Sequence, residues 1–158
     1  MLAIYGPRTT VIFYNEHVNK VQEYTLVDDE YIVSHDNLHI KSKTKIFSPG
    51  NLRSASDNEH YLECVLGWIK KGYTLRYTGG LVPDINQILI KGNGIFTNLD
   101  SKNHKCKLRA LYEAAAVGYL IEKAGGKTVT HGKCSLLDYV IEGYDDKVAF
   151  AVGSSEEV

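Results

Sequence analysis

Apolar and polar residues alternate through the first third of the chain, then recur at helical spacing. Residues 2–6 (LAIYG), 9–14 (TTVIFY), 21–27 (VQEYTLV) and 30–34 (EYIVS) each read as a strand, with a break at Pro7. Asp28-Asp29 between the last two predicts a hairpin. KIFSP (45–49) reads as one more short strand. The period then changes. Leu62, Val65, Leu66 and Ile69 fall at i, i+3, i+4 and i+7, which predicts a helix from Ser56 to Lys71. Ser56 and Glu59 have capping-box spacing at its start, and Lys70-Lys71 followed by Gly72 suit its end.

The alternation of element types continues to the C-terminus. YTLRYT (73–78) reads as a strand carrying Arg76 and Tyr77, and Pro83-Asp84 opens a second helix running through Gln87 to Ile90. GIFTN (94–98) is a strand, Lys107 to Ala124 a third helix ended by Gly125-Gly126, KTVT (127–130) a strand, and KVAFAV (147–152) the last strand. The fold expected is α/β: a layered sandwich, with a mixed β-sheet and helices on both faces. Ser154 and Glu157 again have capping-box spacing, with only Val158 after them. That reads as a truncated helix, with a short frayed tail as the alternative.

Composition narrows the function. A chain of 158 residues with 44% hydrophobic content can bury a core of useful size. Its 18 basic and 19 acidic residues nearly cancel, so no global field points to nucleic acid or to an anionic membrane. No apolar run has the length of a membrane span. Cys64, Cys106 and Cys134 are far apart and odd in number, and read as free thiols in a reducing compartment. The six histidines lack metal-ligand spacing. Gly126-Lys127-Thr128 looks like the end of a P-loop, yet Ile121 stands where that motif needs its first glycine.

Lys105, Lys107 and Arg109 are expected to crowd the first turn of the third helix. Cations there oppose the helix dipole, but together with free backbone N–H groups they suit an anion. A solvated basic turn is the competing reading on charge alone. Arg109 and Glu113, at i, i+4, could also simply pair, in the weaker order of cation before anion.

Longer motifs decide more. RYTGGLVPD (76–84), KLRALYE (107–113) and YLIEKAGGKT (119–128) resemble the C-terminal half of the class I fructose-bisphosphatase family. FSPGNLR (47–53), PRTT (7–10) and GGLVPDINQI (79–88) are more similar to its sedoheptulose branch than to its fructose branch. The resemblance spans nearly the whole chain. It implies that residues 1–158 form the substrate-binding half of a sugar bisphosphatase, without the metal-binding half that carries a DPLDGS-like motif. It also implies Mg²⁺ as cofactor and hydrolysis of the 1-phosphate of a sugar bisphosphate, sedoheptulose 1,7-bisphosphate first and fructose 1,6-bisphosphate as the alternative. A non-catalytic phosphosugar-binding or oligomerisation module is the reading from another class.

Site residues follow by resemblance, position by position. Glu113 matches a metal-binding glutamate, and Lys107, Arg109, Tyr77 and Asn51 match sugar-phosphate contacts. Gly79, Gly80 and Leu81 match the turn that lines the sugar, and Arg76 an arginine that reaches into a neighbouring subunit's site. A homo-oligomer, dimer or tetramer, is therefore implied, in a soluble intracellular protein of cytoplasm or plastid. Thr97-Asn98 stand where the fructose branch has a tyrosine, so substrate contacts differ there. One glutamate is too few for a Mg²⁺ phosphatase site, so this chain alone is expected to be inactive.

Overall fold

The computed structural model describes residues 1–131 and 134–158. Four antiparallel strands open the chain: β1 (Leu2–Ile4), β2 (Thr10–Asn15), β3 (Lys20–Val27) and β4 (Glu30–His35), paired in that order. Asp28 and Asp29 both take positive φ, 47° and 67°, and close the β3–β4 hairpin expected between them. A one-sided pattern runs across this sheet. Leu2, Ile12 and Val21 are buried, whereas every residue of β4 is exposed.

A second sheet has five strands, β5 (Ile46–Gly50), β6 (Thr74–Leu75), β7 (Ile95–Asn98), β8 (Lys127–Thr130) and β9 (Phe150–Gly153). Their order is β6-β5-β7-β9-β8. β6, β5 and β7 run parallel, while β9 is antiparallel to both β7 and β8, so the sheet is mixed as expected. Alternate residues serve opposite faces. Phe96, Phe150 and Val152 point into one cluster, which also takes Ile85, Ile88 and Leu89 from α2 (Leu81–Lys91) and Val117, Leu120 and Ile121 from α3 (Ala115–Lys123). Ile95 and Ala151 point the other way, against Tyr61, Val65 and Trp68 of α1 (Glu59–Lys70). Helices therefore cover both faces of this sheet. The four-stranded sheet adds a further layer behind α2 and α3, because Leu2, Ile12 and Val21 belong to the same cluster.

Several local expectations need correction. α1 is capped by Asn58, whose side chain accepts the Tyr61 N–H; Ser56 instead closes a 3₁₀ turn, Leu52–Ser56, by donating to the Arg53 carbonyl. The buried face of α1 is Tyr61, Val65 and Trp68, while Leu62, Leu66 and Ile69 are 41%, 42% and 57% exposed. β6 stops at Leu75, so Arg76 and Tyr77 lie just past its end. The third helix starts three residues later than expected. Its opening turn, Ala110–Ala114, is π-helical: the Ala114 N–H bonds the Arg109 carbonyl five residues back.

The C-terminal segment holds no capping box. Ser154 Oγ accepts from the Gly94 N–H, and the Glu157 carboxylate accepts from the Trp68 indole (3.0 Å) and the Tyr73 hydroxyl (2.5 Å). The turn is thus fastened to α1 and to the residue before β6. Among the described residues no helix is long and apolar enough to cross a membrane, and all three cysteines are free.

Candidate functional site

Parallel strands end together, and the loops that leave them make a crevice at their carboxyl edge. Here β5, β6 and β7 do so. Gly50, Asn51, Leu52 and Arg53 follow or end β5, Tyr77 and Gly79 follow β6, and Asn98 ends β7. These residues line a cavity of about 410 Å³, completed by Leu81, Phe96, Lys107 and Leu108. Five residues chosen from sequence meet there: Asn51, Tyr77, Gly79, Leu81 and Lys107.

The β5 wall is built tightly. Gly50 must be glycine, because a Cβ would sit 2.4 Å from the Thr97 carbonyl oxygen on the neighbouring strand. Asn51 then turns left-handed (φ 48°, ψ 41°), a conformation asparagine tolerates. Its amide donates to the Leu99 carbonyl (2.8 Å) and the His104 carbonyl (3.1 Å). Both amide hydrogens are thereby used, leaving Oδ1 to accept from a ligand. Beneath the wall lies Tyr61, 1% exposed, whose hydroxyl contacts the Gly50 carbonyl and Thr97 Oγ1, both at 2.9 Å. Burial pushes its phenol up to about 12, so it stays neutral and keeps β5 and β7 joined.

On the β6 side, the Arg76 N–H continues the parallel ladder to the Phe47 carbonyl (2.9 Å), and the Ser48 hydroxyl donates to the Arg76 carbonyl. This holds the backbone so that Tyr77 reaches the cavity. Gly79 takes φ 90° in the turn that follows, and Gly80 caps α2. Asp84, 1% exposed, accepts the Thr78 N–H at 2.8 Å and ties that turn to the helix.

The three cations expected on one helical turn separate instead. Arg109 is extended (φ −82°, ψ 140°), and residues 108–110 are zipped to residues 146–148: the Val148 N–H bonds the Leu108 carbonyl (3.2 Å) and the Ala110 N–H, at the start of the π-helical turn, the Asp146 carbonyl (2.7 Å). Lys105 pairs with Asp100 at 3.7 Å. Arg109 lies 3.8 Å from Glu113, 3.6 Å from Asp145 and over the Tyr112 ring. Lys107 alone of the three lines the cavity, and among the described residues it forms no ion pair.

Glu113 and Gly80 line an adjoining cavity of about 380 Å³, which shares Leu81 and Leu108 with the first. One carboxylate oxygen of Glu113 accepts the Arg109 N–H at 2.7 Å, as a helix-capping carboxylate does. Among the described residues no three His, Cys, Asp or Glu side chains converge as a metal site would need. A Mg²⁺ ion takes near-octahedral oxygen coordination, so this donor set does not by itself fit one. Neither cavity is lined by Arg76, which lies exposed beside the edge strand β6. Sequence reasoning missed Gly50, Leu52, Arg53, Phe96, Asn98 and Leu108 as lining residues. A glycine-asparagine turn straight after a strand was the available signal for the first of them.

Fold and site together define a layered α/β domain with a cationic cavity at the carboxyl ends of parallel strands. A family described as "Fructose-1-6-bisphosphatase, C-terminal domain" matches residues 40–158, and the chain belongs to that family. It is 44% identical to chloroplastic sedoheptulose-1,7-bisphosphatase of Spinacia oleracea over 99% of its own length and 40% of the relative's. It is 38% identical to class 1 fructose-1,6-bisphosphatase of Trichlorobacter lovleyi, over its whole length and 50% of the relative's. Among solved structures, a putative sedoheptulose-1,7 bisphosphatase from Toxoplasma gondii superimposes with TM-score 0.89 at 40% identity, over 98% of this chain and 52% of the other. Leishmania major fructose-1,6-bisphosphatase in its T-state gives TM-score 0.85 at 30% identity, over 98% of this chain and 50% of the other. The chain thus spans 40 to 52% of the length of these relatives.

Proposed function

We propose that this chain is the phosphosugar-binding half of a sugar bisphosphatase that hydrolyses a 1-phosphate, with sedoheptulose 1,7-bisphosphate as substrate. The observation that carries the reading is a lysine free of any ion pair among the described residues, sharing one cavity with Tyr77, Asn51 and Gly79. Lys107 would attract the phosphate distant from the reacting one, Tyr77 would donate its hydroxyl to it, and the Gly79–Leu81 turn would bear on the sugar. Holding that remote phosphate orients the reacting end, so binding energy contributes to rate. Glu113, in the adjoining cavity, would supply one carboxylate to Mg²⁺, with the other donors coming from outside the described residues.

Two features favour the seven-carbon sugar. The chain is 44% identical to a sedoheptulose-1,7-bisphosphatase, against 38% to a fructose-1,6-bisphosphatase. Thr97-Asn98 stand where the resemblance places a tyrosine in the fructose branch, and Asn98 of the two lines the cavity. The test is phosphate release by this chain within its whole gene product, with Mg²⁺ and each bisphosphate in turn. Lys107→Ala should raise KM by the equivalent of about 1–3 kcal/mol, the loss of a charge-assisted contact. Unchanged KM and kcat would reduce the lysine to a solvated surface residue.

A further inference from the structure

Two cations line the cavity, and the reading above uses only Lys107. The other is Arg53, from the opposite end of the sequence motif that begins at Phe47. Its guanidinium is exposed and, among the described residues, pairs with no carboxylate. Its backbone, in contrast, is fixed. The next residue, Ser54, is fully buried, and its hydroxyl lies 2.9 Å from both the Asn51 and the Leu99 carbonyl, between which its one hydrogen is shared. Ser56 donates to the carbonyl of Arg53 itself, also at 2.9 Å. The 3₁₀ turn is therefore clamped to β5 on one side and to the strand exit after β7 on the other.

A sugar phosphate carries between one and two negative charges at neutral pH and presents three acceptor oxygens. One lysine is a point charge and balances a single unit; an arginine fork adds a second unit and two directed donors. We propose that Arg53 is a second phosphate-binding residue of this cavity, closing on the distal phosphate together with Lys107 and Tyr77. This rests on the phosphosugar reading and adds a residue to it. The rigid turn spares much of the entropy that ordering a loop on binding would cost. The dianion should depend on Arg53 more than the monoanion does, since Lys107 alone can neutralise the latter.

The experiment is calorimetric titration of the whole chain with sedoheptulose 7-phosphate, at about pH 7.5 and about pH 5.5, on either side of the second phosphate ionisation. Arg53→Gln should weaken binding roughly tenfold or more at the higher pH, the size of a lost charge-assisted contact, and distinctly less at the lower. Arg53→Lys should recover part of the loss. Full affinity in Arg53→Gln beside a large loss in Lys107→Ala would overturn the role of Arg53 and leave the phosphosugar reading standing. No binding by the parent chain, or no loss in either variant, would overturn both. An equal loss at both pH values without rescue by lysine would make Arg53 part of the wall's architecture, and would overturn its role as a phosphate ligand.

Discussion

Single atoms set the shape of the cavity wall. At Gly50 even a methyl group would collide with the Thr97 carbonyl, and that atom belongs to backbone that cannot swing aside. Gly50→Ala should therefore destabilise the fold by about 1–3 kcal/mol, as overpacking does, and thermal unfolding would measure it. Tyr61 works from below. Tyr61→Phe leaves the Gly50 carbonyl without its hydroxyl donor at no change in ring volume, and should cost about 1–2 kcal/mol in denaturant unfolding. Its phenol also gives a pH signature. The folded value is raised from 10 to about 12, so the folded state holds the proton longer than the unfolded state. The stabilisation is complete below about pH 10 and is lost as pH rises from there towards 12. Tyr61→Phe should remove that part of the alkaline decline. Arg109 groups with Lys107 on charge, but the structure shows the alternative that its spacing offered, a pair with Glu113, to which Asp145 and the Tyr112 ring add contacts that sequence does not report.

At the scale of elements, α1 shows where hydrophobic periodicity fails. Of the predicted stripe Leu62, Val65, Leu66 and Ile69, only Val65 is buried; the sheet receives it together with Tyr61 and Trp68, so the buried face is turned part of the way round the helix. Aromatic residues with a polar tip do not stand out in an aliphatic count, but they bury the larger area when the tip finds a partner. Trp68 finds Glu157, and Tyr61 finds Gly50 and Thr97. Trp68→Ala should cost about 3–5 kcal/mol and Leu66→Gln no more than about 0.5 kcal/mol, a contrast that equilibrium unfolding would resolve. Strands and turns were more legible, because Asp28-Asp29, Pro7 and the GIFTN run have local causes. The start of the third helix was not. The segment just before Ala110 is held by residues 146–148, with Arg109 extended opposite Lys147, and nothing near Arg109 in sequence reports a partner some forty positions away.

The whole molecule leaves two kinds of surface open. Beside the edge strand β6, Arg76 is exposed, joins no ion pair among the described residues and lines neither cavity described. That placement supports the proposal that it acts on a neighbouring subunit's site. If the proposed phosphatase activity is lost in Arg76→Ala and in Glu113→Gln singly, a mixture of the two variants should recover part of it through mixed oligomers. No recovery after confirmed subunit exchange would place Arg76 in its own chain's chemistry or in none. At the far side, β4 exposes Tyr31, Ile32 and Val33. The family resemblance and the α/β layers were legible in long motifs and in alternating periods. The separate four-stranded sheet was not, since four short strands in succession do not say which sheet they join.

The central claim is that the carboxyl ends of β5, β6 and β7 form a phosphosugar site. Amide shifts of the labelled chain, followed by NMR while sedoheptulose 7-phosphate is added, test it most directly. The account predicts saturable shifts concentrated at Asn51, Arg53, Tyr77, Gly79, Asn98 and Lys107, abolished in Lys107→Ala and absent with the unphosphorylated sugar. Shifts centred elsewhere, such as the lysine-rich stretch from Lys41 to Lys45, or shifts that survive Lys107→Ala, would contradict it.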